Sequence, residues 1–364
     1  ITQPEAGVTV FSRLPPLIET LIERIAIEVN GVSVQNDCPN INQLFTVLSD
    51  MQNSIPSMLR RNLLNGNNAN EAIPGATDTE TQYSISTFLG LFNSIRYFDT
   101  SLIGSVRLRL SLSPPTVCSP SSMDPVTYVL NDIFFSCDII SIDDGIFYRM
   151  HSDFLNKGGV YSIPFKNYMC FTNSSSSMSQ STNFSISTQS LDRLISFFGP
   201  GKASVGTSRG LYNSVTKRST YFNRMAKGDQ AFGGATVTSG LLNTQYLIGN
   251  ETHPGYLVSP QQSFALIDGS FGRTGCTIQG INKNITNLDV FTSDFWLTTV
   301  KLNHASEEMG VSEVSGIDSR GNVLNMSFNS VGDLQNLGNV ISYTFAEMTF
   351  ILQVGAGRQV SIIY

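Results

Sequence analysis

Alternation of apolar and polar residues on both sides of a tight-turn signal constrains this chain more than any other feature. In IERIAIEVNGVSVQN, Ile25, Ile27 and Val29 alternate with Arg24, Ala26 and Glu28. Asn30-Gly31 follows, and Val32 and Val34 then alternate with Ser33 and Gln35. A period of two belongs to a strand, whose successive side chains point to opposite faces. Asn-Gly is a strong hairpin signal because both turn positions need φ > 0, which these residues tolerate. With Asn30 and Gly31 as the structural turn, Val29 is predicted to face Val32, Ile27 to face Val34 and Glu28 to face Ser33. That register gathers the apolar side chains on one face.

The same period recurs along the chain. In SLIGSVRLRLSLS, Val106, Leu108, Leu110 and Leu112 share one side, with Arg107 and Arg109 on the other. VTYVLNDIFFSCDIISID is apolar and β-branched and is predicted as a strand. Asp143-Asp144-Gly145 is predicted as a turn, after which FYRMHSDFL resumes the strand. FTNSSSSMSQSTN reads as an exposed low-complexity loop. FSISTQSLDRLISFFG places Phe184, Ile186 and Leu191 inward. TQYLIGNETHPGYLVSP reads as a second hairpin, around Gly249-Asn250. FTSDFWLTTVKLNHA, the stretch after Ser315-Gly316, YTFAEMTFILQVGAG and RQVSIIY read as further strands. Two short helices interrupt them. INQLFTVLSDM has Ile41, Leu44, Leu48 and Met51 at helical spacing, with Asn40 or Asn42 as cap, and PQQSFALIDGSF is the second. Residues 65–82 and 199–240 read as a polar surface loop and irregular connecting structure.

The order hairpin, proline, short helix, loop and strand occurs twice, around Pro39 and around Pro260. Two all-β halves of about 180 residues fit two jelly rolls, because eight strands plus loops need about that length. The expected fold is all-β: two tandem eight-stranded jelly-roll barrels with short helices in the loops. Residues 1–200 form the first jelly roll, 201–240 the connecting loop region and 241–364 the second jelly roll.

Charged residues make up only 14% of the chain, against roughly 25% in an ordinary soluble domain. Ser, Thr, Asn and Gln fill the gap. Such a surface tolerates being covered, which suits extensive assembly; it equally suits a secreted β-rich protein. The net charge is −6, and Lys and Arg are scattered rather than gathered into a basic stripe, so direct nucleic-acid binding by the ordered body is not expected. Five cysteines lack C-x-x-C spacing and are odd in number, which points to free, mostly buried thiols in a reducing compartment. Sequons at Asn173, Asn183, Asn250, Asn284 and Asn325 are expected by chance in a chain this rich in Asn, Ser and Thr. No apolar run approaches the roughly 20 residues of a membrane helix, and no signal peptide is visible. The chain starts at Ile1 rather than Met, which we read as an N-terminal piece removed or lying outside this sequence.

Chemistry-bearing patterns are sparse. The three histidines, His151, His253 and His304, form no H-x-H pair, so neither a metal nor another cofactor is expected. No G-x-S-x-G elbow occurs, and Gly199-Pro-Gly-Lys202 lacks phosphate-loop spacing, with Ser196 and Ala203 at the flanking positions. Asp143-Asp144, Glu307-Glu308 and Asp50 are carboxylates near turns, where acids are more often solvated than catalytic. The chain is not expected to be an enzyme.

Several of these stretches together resemble a known family. IERIAIEVNGVSVQN with INQLFTVLSDM, YVLNDIFFSCDIISID, GGVYSIPFKNYMCFTN running into FSISTQSLDRLISFF, TQYLIGNETHPGYLVSPQQSFALIDGSFG, and VSGIDSRGNVLNMSFNS with YTFAEMTFILQVGAG follow in order over most of the chain. They resemble the double jelly-roll major capsid proteins of polinton-like viruses, virophages and related icosahedral viruses. The resemblance implies two barrels side by side in one subunit, and homotrimers that imitate hexamers and tile an icosahedral shell of a DNA virus. It implies contacts with neighbouring trimers and with penton and minor capsid proteins, and a place in the virion capsid after assembly inside the host cell. It carries no catalytic residue and implies nothing about a membrane. Lengths shorter than many members imply reduced loops or turrets, and the polar stretches 65–82 and 199–240 are expected to cap a tower or clasp a neighbour. A viral attachment or glycan-binding β-sandwich protein is the alternative, and a β-sandwich hydrolase a third reading.

Overall fold

The first hairpin forms where its turn signal stands. Strands β1 (Ile22–Val29) and β2 (Val32–Gln35) run antiparallel, with Val29 opposite Val32 and Glu28 opposite Ser33. Asn30 and Gly31 carry the left-handed turn, at φ 50 and 81. The register then departs from expectation: Ile27 lies opposite Gln35 rather than Val34, because the ladder shifts between Ile27 and Glu28. Such an irregularity admits an extra residue and re-aims the side chain that follows. Here Val34 and Gln35 are both buried, and Gln35 Oε1 accepts the Leu91 amide at 3.3 Å. That amide opens the short helix α2 (Leu91–Ser94).

The structure is a computed structural model. It describes residues 15–52 without 16, 36 and 37, then 83–85, 89–99 without 96, 102–114, 128–141, 145–175, 180–200, 212–213, 218–224, 241–271, 287–303, 314–331 and 340–364, with isolated positions between them. The predicted loop 65–82, the turn at Asp143-Asp144 and most of 201–240 lie outside the described residues.

Helix α1 (Ile41–Gln52) covers the hairpin with Ile41, Leu44, Val47 and Met51, all inaccessible to solvent. Strand β3 (Val106–Leu112) adds to the other side of β1, pairing Ile27 with Leu108 and Ile25 with Leu110. The order β2-β1-β3 makes β1 central and, among the described residues, leaves β3 as an edge. The alternation predicted for β3 is present, yet its apolar row is not covered: Val106, Leu110 and Leu112 are exposed.

Several stretches differ in type from the sequence reading. Residues 128–141, predicted as a strand, form neither a helix nor a paired strand. FYRMHSDFL does not resume a strand but lies in helix α3 (Gly145–Asn156). Phe147, His151 and Phe154 recur at helical spacing and line one face, with Phe147 and His151 ring centroids 4.1 Å apart. The helix ends on Gly158, at φ 83, with the Gly158 amide bonded to the Leu155 carbonyl and the Gly159 amide to that of Phe154. A left-handed glycine just past the last turn is a common helix stop.

The Ser-rich stretch is largely strand rather than loop. Strand β4 (Tyr161–Ser175) runs into it and β5 (Gln180–Phe184) starts within it, with 176–179 outside the described residues. Next come β6 (Leu191–Pro200), the short β7 (Tyr212–Asn213) and β8 (Arg218–Ser219), and the second hairpin of β9 (Leu241–Ile248) and β10 (Glu251–Val258). Helix α4 (Pro260–Phe271) follows that hairpin as α1 follows the first. The start of FTSDFWLTTVKL is helical, α5 (Leu288–Asp294), capped by Asn287, whose side chain accepts from the Val290 amide. Its end is strand β11 (Thr298–Lys301). Strands β12 (Leu324–Val331), β13 (Val340–Val354) and β14 (Val360–Ile363) close the chain.

Among the described residues these strands form sheets of three, four, five and two strands. In the five-stranded sheet β13 is central. One side pairs with β4 along its whole length, and the other with β6 and then β14. Both faces of its middle are buried, with Tyr343, Phe345, Met348 and Phe350 at most 1% exposed. Burying one side chain of that size contributes about 1.5–3 kcal/mol. The four-stranded sheet, β10-β9-β12-β5, packs against the five-stranded one. Phe171 of β4 stacks on Phe184 of β5 at 5.0 Å, and Tyr246 of β9 donates to the Thr298 carbonyl of β11 at 3.2 Å. Hydrogen-bonded sheets thus join residues 161–200 to residues beyond 241, across the connecting segment. The two halves repeat the hairpin and the helix but not the strand after them, since β3 pairs with its hairpin and β11 pairs with β6. The chain is all-β with short helices, as expected from its sequence.

Candidate functional site

The Asn30-Gly31 turn has a second role beyond closing the hairpin. The Asn30 amide donates to the Ser105 carbonyl at 2.9 Å, and Asn30 Oδ1 accepts the Ser105 amide at 2.9 Å. Its Nδ2 donates to the Arg358 carbonyl at 3.1 Å. One side chain therefore ties the first hairpin to the start of β3 and to the turn before the last strand. A Cβ on Gly104 would come within 3.1 Å of Asn30 Oδ1 and 3.3 Å of Arg358 Nη1, a tight fit against the clamp. Arg107 and Arg109 of β3 flank Glu28 at 3.3 and 2.9 Å. These are exposed pairs and stabilise little.

A buried polar centre joins β4, β6 and β13. Asp192, fully buried, accepts from Lys166 Nζ at 2.9 Å, from Thr349 Oγ1 at 2.6 Å and from Ser190 Oγ at 2.7 Å. Lys166 also reaches Glu347 at 3.5 Å, and Arg193 lies 3.8 Å from the same carboxylate and 4.6 Å from the Phe271 ring centre. Gly316 seals the centre: its amide donates to Ser190 Oγ at 2.9 Å, and a Cβ there would come 2.4 Å from the Leu191 carbonyl oxygen. A second buried pair, Arg224 with Asp50 at 2.6 Å, joins α1 to the segment before the second hairpin. Each acid here is matched to cations and hydroxyls of its own core. That is the arrangement of a structural network.

The carboxylates singled out as turn acids are not brought together. Asp50 is in the ion pair just described, and Asp143, Asp144, Glu307 and Glu308 lie outside the described residues. His151 bonds the Tyr161 hydroxyl at 2.7 Å and His253 lies 3.8 Å from Glu251; His304 is outside the described residues. Among the described residues no group of three His, Cys, Asp or Glu side chains could hold a metal. None of Cys38, Cys118, Cys137 and Cys170 is in a disulfide. Burial pushes the Cys118 thiol up to about 12, so it stays protonated and unreactive at neutral pH.

The surface feature that sequence reading missed lies between residues 128 and 156. Val129, Ile133, Phe134 and Ile139 are at least 72% exposed. Helix α3 has no buried residue and adds Ile146 and Met150, both about two-thirds exposed or more. The segment is held at intervals: Tyr128 donates to the Ser113 carbonyl, Phe135 packs on Phe92 at 6.3 Å, and Phe154 packs on Tyr161 at 4.9 Å. Gly159 allows the last contact, since a Cβ there would lie 2.5 Å from the Phe154 ring. The signal in the sequence is the apolar run itself, which the pattern presents as a strand.

No protein-family model matches the chain and no curated protein matches it by sequence. Solved structures do match in fold. The Sputnik virophage structure from cryo-EM has a TM-score of 0.44 at 11% identity over 98% of this chain and 78% of that one. PBCV-1 VP54, fitted into a reconstruction of that virophage, has a TM-score of 0.49 at 8% identity, over 98% and 87%. The Faustovirus major capsid protein has a TM-score of 0.59 at 10% identity, covering 97% of this chain and 75% of that chain. At that level the likeness is one of fold: this chain shares the β-rich fold of the Faustovirus major capsid protein.

Proposed function

We propose that this chain is the major capsid protein of an icosahedral DNA virus, found in the virion capsid, with a structural rather than an enzymatic task. The observation that carries the reading is the fold shared with the Faustovirus major capsid protein along 97% of the chain. The low charge content and the uncovered apolar surface support it, because a shell protein buries its flanks against copies of itself. In this reading three copies form a homotrimer, and two eight-stranded towers per copy let the threefold object imitate a hexamer. Trimers then tile the shell beside penton and minor capsid proteins. Strands β4 to β6 belong with the second tower, because all their ladder partners lie beyond residue 241. The segment 201–240 then connects chain rather than separating sheets. Neighbouring copies meet through unlike patches, as closed threefold symmetry requires, over more than roughly 2,000 Å².

Sedimentation of the purified protein tests this. The expected particle has the mass of three 39.7 kDa chains and a hexagonal outline by electron microscopy. A monomer at micromolar concentration would refute it. A small oligomer that binds immobilised sugar would favour the attachment-protein alternative.

A further inference from the structure

Among the described residues, twelve of the twenty-five exposed large apolar side chains fall between Val129 and Phe154. That is a short part of the chain, so the exposure is concentrated rather than scattered. Each such side chain offers on the order of 100 Å². The segment therefore presents on the order of 1,000 Å² of apolar surface. The largest apolar patch on an ordinary monomer is about 300–600 Å², whereas one side of an obligate interface needs about 1,000 Å² or more. The area matches what a stable association between chains requires.

From this area and its placement, we infer that residues 128–156 are a self-association face, buried against a second copy of this chain. The inference rests on the shell-protein reading, which supplies second copies as the abundant partner, and it adds which face they cover. The face is built for docking. Helix α3 is fixed to β4 through Phe154 and His151 on Tyr161, so it meets a partner already ordered and little entropy is lost on binding. Its other side presents Ile146 and Met150 outward. Among the described residues the preceding stretch, 128–141, pairs with no strand. The uncovered row of β3, with Val106, Leu110 and Leu112, is an apolar edge of the kind such a face could meet on the next copy in a head-to-tail contact.

The test uses the full chain with Phe134→Asp and Ile139→Asp together, sedimented beside the unaltered protein. Anchors at a buried interface lose at least about thirtyfold in affinity when removed, so the double variant is expected to sediment as a folded monomer where the unaltered chain is an oligomer. Two results are distinct failures. An unaltered chain that is monomeric removes the shell reading and this inference together. An oligomer unchanged by the two aspartates removes this inference and leaves the shell reading standing. Where circular dichroism finds the variant unfolded, the exposed thiol of Cys137 decides instead, read by maleimide labelling and peptide mapping of the unaltered protein. Protection in the oligomer and fast labelling after dissociation support the assignment. Fast labelling in the oligomer overturns it, and so does protection that persists in the dissociated monomer, since the chain then covers the face itself. A monomer that floats with phosphatidylcholine vesicles would assign the face to a membrane and overturn the inference as well.

Discussion

Lys166→Met should destabilise this protein far more than a partly exposed lysine ordinarily does. The Lys166 side chain is 17% exposed, and it faces Asp192, which is fully buried, at 2.9 Å, and Glu347 at 3.5 Å. Removing the cation leaves the buried Asp192 carboxyl without its Lys166 partner, beside the hydroxyls of Ser190 and Thr349. Stranding one member of a buried pair costs about 3–5 kcal/mol, against about 0–1 kcal/mol for an exposed pair. Asp192→Asn should cost less than Lys166→Met, since the amide keeps an acceptor for one hydroxyl and Lys166 retains Glu347. In the double variant the stranded carboxyl is gone. Its loss should fall short of the sum of the two singles by about 2–3 kcal/mol, within the range seen for contacting residues. The assay is urea unfolding of the four proteins at one protein concentration, because assembly adds stability by mass action. A cost below about 1 kcal/mol for Lys166→Met would refute the reasoning, and so would additivity of the two changes.

Three further outcomes follow from the geometry. Asn30→Ala should lose about 1.5–3 kcal/mol in the same assay, from a left-handed position that disfavours alanine and from the lost bonds to Ser105 and Arg358; equal stability would mean the clamp is idle. Gly316→Ala forces a Cβ against the Leu191 carbonyl and should cost about 1–3 kcal/mol, as overpacking does; a neutral result would show that the loop 314–319 moves aside freely. The third concerns pH. Burial raises the Cys118 thiol from 9.0 to about 12. Below pH 9.0 the thiol is neutral in folded and unfolded chains alike and its contribution is fully present. Above it the unfolded thiol ionises first, and stability falls as the pH rises towards the folded value. Relative to Cys118→Ala, the unaltered protein should lose about 1.4 kcal/mol per pH unit above 9, and parallel pH profiles for the two proteins would contradict it.

Local pattern was enough to place much of this fold. Alternation with Asn30-Gly31 and with Gly249-Asn250 placed both hairpins, and the spacing of Ile41, Leu44, Leu48 and Met51 placed α1. Phe184, Ile186 and Leu191 are buried as their alternation requires. Where pattern misled, two local rules competed. Phe147, Tyr148, Met150 and Phe154 satisfy a loose alternation as well as a helical face, and the Gly158-Gly159 stop was the feature that separated them. The Ser-rich stretch reads as a loop by composition, yet Phe171 and Asn173 turn one way and Thr172 and Ser174 the other, as a strand demands.

What the amino-acid sequence by itself determined was the period of each segment and the turns between them, because backbone geometry and side-chain sterics act over a few residues. The tertiary structure alone decided the partners. Alternation says which face of β13 is apolar, but not that β4 and β6 flank it, since a ladder joins residues far apart in the chain through backbone groups that every sequence carries. It alone also decided the fate of charge and of apolar surface. Lys166, Asp192 and Glu347 each read as a surface residue until three strands bring them into one buried centre. The run from Val129 to Ile140 reads as core until the packing of the chain leaves it outside, because burial depends on what else fills the space and not on the residue's own hydrophobicity.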